Sequence, residues 1–288
     1  MRFHHGESMT PIANYLPLAK AAEAAGFDGF TVPDSLIYPR QSDTSYAYTD
    51  DGGREFLENK PFIETFTLAT AILAATERLT VTTNVMKLPV RPPLYSAKIA
   101  SSIAALSGNR FNFGVGLSVW PEDYAAMGVP WEKRGKRFDE CIAIVRGLTA
   151  GGYFEFHGEF YDIPPVKLNP IPTKPIPILI GGHSDAALKR AAAHDGWVCA
   201  GASPEDVAAM LGTIEAHRQE AGIAGRAYGV FNTAMGAVDR DLARRYEDVG
   251  VTDLVVAFRN LYAMEEDRQP LSDKIDDINR FADTVIRG

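Results

Sequence analysis

The densest chemical signal in the chain is the stretch PIPILIGGHSDAALKRAAAHDGW at 175–197. Ile176, Ile178, Leu179 and Ile180 form a short apolar run rich in β-branched residues, the composition of a fully buried parallel strand. Gly181 and Gly182 end it and let backbone amides approach an anion closely. Ser184 suits an N-cap, and 186–193 is made of strong helix formers. The free amides and positive dipole end of that helix point at whatever the glycines admit, with His183 beside them. A phosphate held there would belong to a phosphorylated cofactor or substrate. An ordinary strand-to-helix turn has the same composition, and on this stretch alone both readings stand. Asp185, in the first turn, favours the helix dipole but would repel a phosphate if it turned inward.

Other residues with chemistry follow predicted strands. Asp34 ends the second strand, where a carboxylate is costly to bury without a partner. It either accepts hydrogen bonds from a ligand or caps the next segment. Asn84 offers a donor and an acceptor at the same level. Lys87 is a Schiff-base candidate, although nothing beside it favours a depressed pKa; a solvated lysine is the other reading. His5 and Glu7 close or follow the first strand and are candidates for proton transfer. Gly114 and Gly116 end the fourth strand, but Val119 stands where a dinucleotide fingerprint needs its third glycine. Ser118 and Trp120 follow, where a loop could meet a flat ring or simply pack. The basic run 132–137 reads as a solvated helix start or as a hold on an anionic tail. No histidine pair has metal-ligand spacing.

These residues need a frame. One punctuation recurs: a helix ends, Gly or Asp follows, and a short apolar strand begins, at 22–32, 191–200 and 247–258. Strands are predicted near 2–5, 28–32, 79–84, 111–115, 177–180, 196–199, 228–234 and 253–257. Helices are predicted near 11–25, 61–76, 93–106, 133–149, 184–194, 204–221, 239–249 and 272–286. Thr10 and Pro11 look like a cap and first helical position. Eight strand–helix units predict a single α/β domain over 1–288, a (β/α)8 TIM barrel with insertions in the βα loops. A doubly wound open sheet is the alternative. In a barrel, function gathers at the C-terminal ends of the strands. Residues 35–60 lack helical periodicity and contain Tyr38, Asp43, Tyr46, Tyr48, Asp50 and Asp51, which suits a lid over that face or a surface insertion. YFEFHGEFYDI at 153–163 alternates aromatics around His157–Gly158 like a hairpin on the opposite face. PPVKLNPIPTKPIP reads as a stiff extended connector.

Composition narrows the function. Of 288 residues, 46% are hydrophobic and 23% charged, enough for a large core. A net charge of -8 argues against general nucleic-acid binding and against an anionic membrane surface. No apolar run is long enough to span a bilayer, and the first residues lack a signal-peptide core. Cys141 and Cys199 stand far apart, as reduced packing residues of a cytoplasmic protein.

Taken together, LSGNRFNFGVGLSVWPEDYAAMGVPWEKRGKRFDECIAIVRGL, HGEFYDIPP and PIPILIGGHSDAALKRAAAHDGW resemble the bacterial luciferase-like monooxygenase superfamily. Within it they are most similar to the actinobacterial branch that uses coenzyme F420. The resemblance covers nearly the whole chain and is strongest from about 84 to 200. It implies a (β/α)8 barrel, usually homodimeric, holding a flavin or deazaflavin on its C-terminal face. The family's phosphate-binding glycines fall on Gly181 and Gly182, with His183 and Ser184 at the helix start. Its aspartate near the cofactor ring falls on Asp34. An unusual cis peptide behind the ring would fall between Asn84 and Val85. The chain also departs from the family: Ser35 and Leu117 stand where sugar-phosphate dehydrogenases of this branch carry a catalytic histidine and glutamate.

The expectation is therefore an oxidoreductase moving a hydride between F420 and a small organic substrate. Asp34, Asn84, Val85, Ser118 and Trp120 would surround the ring, Tyr38 or Trp120 would wall the substrate, and Glu7 or His5 would move a proton. The alternatives are an FMN-dependent monooxygenase activating oxygen, a non-catalytic flavin or deazaflavin carrier, and a phosphate-binding aldolase or isomerase.

Overall fold

The computed structural model describes residues 1–42, 44–46, 49, 52–234 and 236–288. Asp43, Tyr48, Asp50 and Asp51 of the predicted lid lie outside the described residues. The strands, in chain order, are β1 (Arg2–Gly6), β2 (Gly29–Val32), β3 (Thr80–Thr83), β4 (Met86–Lys87), β5 (Phe111–Gly116), β6 (Tyr153–His157), β7 (Asp162–Lys167), β8 (Ile178–Gly181), β9 (Gly196–Cys199), β10 (Gly229–Thr233) and β11 (Asp253–Val256). The α-helices are α1 (Tyr15–Ala25), α2 (Thr65–Ala75), α3 (Pro93–Leu106), α4 (Pro121–Ala126), α5 (Arg134–Thr149), α6 (Asp185–Ala192), α7 (Pro204–Glu220), α8 (Arg240–Asp248) and α9 (Leu271–Phe281).

Eight of these strands, all but β4, β6 and β7, pair in parallel around a closed ring. Val81 pairs with Phe111 between β3 and β5, and Arg2 with Asp253 between β1 and β11. The seam between first and last strand is tied by one carboxylate. Asp253 accepts from Arg2 Nη2 and His4 Nε2, each at 2.7 Å. Closure leaves no free edge among the eight strands. This is the TIM barrel that the strand punctuation predicts.

Strand alternation sorts the core into two parts. Leu179, Val198, Phe231 and Val255 point inward and fill the barrel, with Val85 packed on them. Phe30, Val81, Phe113, Ile180, Trp197, Val256 and others point outward and meet the helices in the larger core. β6 and β7 pair as the expected antiparallel hairpin, with Phe154 opposite Val166, Phe156 opposite Ile163 and an irregularity between the two phenylalanines. Pro164 and Pro165 extend β7, which is tolerated because this sheet has only two strands. The stretch expected as a bare connector is therefore strand over its first third.

Some boundaries differ from the sequence expectation. Thr10 does not cap α1; its buried hydroxyl accepts from Asn14 Nδ2, and a short 3-10 turn over Ile12–Asn14 leads into the helix. Helix α2 starts at Thr65 rather than 61, because Glu64 accepts from the Thr67 amide at 2.8 Å and acts as the cap. The basic run is not wholly solvated. Arg137 is buried and donates to the carbonyls of Pro130 and Glu132. Cys141 and Cys199 are free and buried, as expected.

Candidate active site

The mouth of the barrel, at the C-terminal ends of the strands, has a floor, a clamp, a helix N-terminus and a roof. Val85 makes the floor, packed on the inward layer of the barrel. The peptide bond Asn84–Val85 is cis, at the position the family resemblance implied. The glycines that end β5 and β8 make room for this valine. A Cβ at Gly116 would stand 2.7 Å from Val85 Cγ2, and one at Gly181 would stand 2.8 Å from it. The close approach thus explains Gly116 and Gly181 without any ligand. Beside the floor, Asn84 Nδ2 donates to Thr233 Oγ1 at 3.3 Å.

Asp34 is the clamp. Its carboxylate accepts two bonds from Arg91, at 2.8 and 2.7 Å, one from Thr65 Oγ1 at 2.9 Å and one from the Lys87 amide at 2.9 Å. Its side chain is 1% exposed. Burial alone would raise its pKa, but the Arg91 hydrogen bonds and charge, with Lys87, hold it below the usual carboxylate range. Both oxygens are already engaged within the chain. The expectation that Asp34 faces a ligand edge gives way to a role fixing Met86 and Lys87, directly after Val85.

The segment expected to seat an anion is the start of α6. Ser184 Oγ accepts from the Ala187 amide at 3.3 Å, the expected N-cap. Gly182 takes φ +125°, and its carbonyl accepts from Trp197 Nε1 at 2.8 Å. His183 Nε2 accepts from the Ala200 amide at 3.2 Å, and burial keeps this imidazole below its usual pKa. Asp185 is exposed rather than buried against the seat.

An aromatic cluster drawn from three loops makes the roof. Tyr46 stacks on Trp120 with centroids 5.1 Å apart, and Phe56 meets Tyr262 edge-on at 5.1 Å. The Arg54 guanidinium lies 3.9 Å from the Trp120 ring centroid. Trp120 is therefore covered by Tyr46 and Arg54 and is only 4% exposed. Ser118, also buried, donates to Asp123 Oδ2 at 2.5 Å and accepts from the Trp120 amide. Both residues build the roof rather than present themselves to a ring. Lys87 Nζ donates to Asp123 Oδ2 at 2.8 Å. That buried ion pair occupies the amine, which leaves it poorly placed for Schiff-base chemistry. Tyr38 stays at the surface of the lid segment and lines a cavity there.

The two proton-transfer candidates are elsewhere. His5 points outward from β1 into an aromatic box of Phe27, Phe30 and Phe258, with centroids 6.1, 5.2 and 5.5 Å away. Glu7 is 4% exposed and ion-paired with Arg259 and with Lys274 Nζ at 3.0 Å. Lys274 also reaches Asp267 at 2.8 Å. A buried carboxylate gripped by two cations is fixed in place, so Glu7 serves as a structural anchor.

Arg54, Arg91, Asp123, Tyr262 and the Arg259–Lys274 pair were not singled out in the sequence. Most of their partners lie far along the chain, as Asp34 does from Arg91 and Glu7 from Lys274, and no local spacing marks them. Among the described residues no cluster suits a metal ion, and no helix is long and apolar enough to cross a membrane.

Comparison with known proteins places this architecture. An uncharacterized protein of Mycobacterium tuberculosis (strain ATCC 25618 / H37Rv) is 54% identical over 99% of both chains. Among solved structures, an F420-dependent secondary alcohol dehydrogenase in complex with an F420–acetone adduct superposes with a TM-score of 0.78 at 14% identity, covering 99% of this chain and 98% of that one. A riboflavin lyase with modified FMN and riboflavin superposes with a TM-score of 0.66 at 17% identity, covering 86% of this chain and 66% of that one. At such identities the structural likeness concerns the fold alone. The family model for luciferase-like monooxygenases matches residues 2–284, nearly the whole barrel, so this chain is an enzyme belonging to that family of oxidoreductases and monooxygenases.

Proposed function

We propose that this enzyme transfers a hydride between coenzyme F420 and a small organic substrate at the barrel mouth. The observation that carries the reading is the Val85 floor, an apolar shelf admitted by Gly116 and Gly181 and held by the Asp34–Arg91 clamp. The residues fit a flat group bearing a phosphate. Val85 would back the ring, Asn84 would meet its polar edge, and Gly182 to Ser184 would take the phosphate at the start of α6. When bound, such a cofactor supplies the hydride chemistry; the protein orients it and excludes water. The aromatic roof of Tyr46, Phe56, Trp120 and Tyr262 would exclude that water. A cytoplasmic homodimer is part of the same reading.

The fold is shared with an F420-dependent enzyme over nearly its full length, so it accommodates F420, and the preference for F420 over FMN rests on the sequence resemblance. An FMN-dependent monooxygenase is the second reading, supported by the family and by the FMN-bearing neighbour. A non-catalytic carrier gains from the removal of His5 and Glu7 as proton donors. Titration of the purified protein with F420 and with FMN separates the first two, and F420 is expected to bind. Tight FMN binding without F420 affinity would overturn the proposal. F420 binding with no turnover of any donor or acceptor would favour the carrier.

The anion seat has its own test. Gly182→Asp is a poor probe, because at φ +125° any side chain strains the backbone. Ala186 is exposed in the first turn of α6, so Ala186→Asp adds charge without strain. A first-turn carboxylate stabilises a helix by about 0.3–1 kcal/mol. The expected result is F420 binding weakened about tenfold with an unchanged or higher melting temperature. Unchanged affinity would remove the phosphate from this seat.

A further inference from the structure

We propose that the Lys87–Asp123 ion pair is a latch that ties the roof to the floor, so that a ligand seated on the floor holds the roof closed. The inference rests on reading the barrel mouth as the cofactor site. Lys87 follows Val85 by two residues and is bonded at both ends. Its amide donates to Asp34 Oδ2 at 2.9 Å, in the clamp of the floor. Its Nζ donates to Asp123 Oδ2 at 2.8 Å, on α4. The same oxygen accepts from Ser118 Oγ at 2.5 Å, and Ser118 Oγ accepts from the Trp120 amide at 3.0 Å. One carboxylate oxygen thus holds the turn that carries Trp120, the ring on which the roof stacks. Asp123 is fully buried and the Lys87 side chain is 11% exposed, so the pair is screened little by salt.

From Trp120 the contacts run on into the lid segment. Tyr46 stacks on the indole, and the Arg54 guanidinium lies over it with Nη1 3.7 Å from Glu122 Oε2. The start of α4 therefore faces two ways: Trp120 and Glu122 grip the lid, and Asp123 grips the floor. A helix of six residues has little stability of its own, so the place of α4 depends on these contacts. The last loop is fastened separately, through Glu7 and Lys274. A ligand that touches the floor alone has no preference between an open and a closed roof. A flat group that also touches the underside of the roof binds the closed state better and shifts the population toward it. Removing the ion pair takes stability from the closed state without removing any surface the ligand would touch.

Limited trypsin cleavage of the full chain reads the roof with no ligand present. Arg54 in the roof and Arg137 in α5 are each 5% exposed, so both sites are protected in the closed, folded state. Opening of the roof exposes Arg54 alone, whereas global unfolding exposes both. Lys87→Met combined with Asp123→Asn keeps the shapes and removes both charges, leaving no buried charge unpaired. In this double variant, cleavage after Arg54, read by mass spectrometry, is expected to speed about tenfold while cleavage after Arg137 changes little. Asp123→Asn alone is the second variant, expected to act in the same direction should the double variant fail to fold. F420 is expected to slow cleavage after Arg54 about tenfold in the wild type and less in the double variant. The proposal is overturned if Arg54 is cleaved no faster in either variant, if Arg54 and Arg137 accelerate together, or if F420 binds without slowing cleavage after Arg54. If F420 fails to bind while the variants open the roof, the cofactor reading fails and the latch stands.

Discussion

Lys274→Met is expected to lower the unfolding free energy by about 3–5 kcal/mol, measured by urea denaturation at pH 7. Lys274 is 4% exposed and bridges Glu7 and Asp267 at 3.0 and 2.8 Å. Arg259 is the second cation of the group, 2.8 Å from Glu7 and 3.6 Å from Asp267. Burial alone would raise the Asp267 carboxyl, but the Lys274 hydrogen bond and the Arg259 charge hold it below its usual range. Methionine keeps most of the lysine stem and removes only the charged end. Two buried carboxylates would then share one guanidinium. Adding Asp267→Asn removes one of those charges and is expected to recover part of the loss. A loss below about 1 kcal/mol would show that the group is solvated and worth little.

The same substitution bears on the site. Arg259 and Asp267 flank Tyr262, which packs on Phe56 and lies near Tyr46 in the roof. Glu7 follows β1, so this ion group fastens the last loop of the barrel to the first strand. Loosening it should free one of the three loops that cover the mouth.

What the sequence made legible follows from the range of the interactions. The strands are readable because alternation and helix-to-Gly punctuation are local, acting over two to five residues. The Ser184 cap is readable for the same reason, since its bond spans three residues. Asp34 is readable as a carboxylate needing a partner, but not as the clamp of Arg91, which lies 57 residues on. Glu7 looks like a catalytic acid only while Lys274, 267 residues away, is out of view. His5 and Trp120 mislead in one way. A strand residue near the mouth faces the cavity or the helices according to its parity in β1, and an aromatic loop residue faces a ligand or a neighbouring loop according to contacts the local sequence does not encode. The family resemblance located the Asn84–Val85 cis bond, which composition could not.

Acid is expected to destabilise this enzyme well above the carboxylate range, through His5. Burial lowers its pKa from 6.5 to about 4; Glu7 and the Val256 backbone favour the cation but do not offset burial. Neither ring nitrogen sits in a well-formed hydrogen bond, and three phenylalanine rings surround it. The folded state therefore prefers neutral His5, while the unfolded chain takes up a proton near pH 6.5. This contribution is complete above pH 6.5 and is lost as pH falls toward 4. One proton over that window amounts to about 3 kcal/mol. His183 and His194, both held low by burial, act in the same direction. His5→Phe should remove about one proton from the slope of stability against pH between 6.5 and 4, with His5→Leu as a second variant where the larger ring overpacks the box. Urea denaturation at pH 7.0, 5.5 and 4.5 reads the slope directly. A wild-type slope unchanged in both variants would mean that His5 takes up its proton equally in the folded and unfolded states, and the aromatic box would no longer account for acid sensitivity.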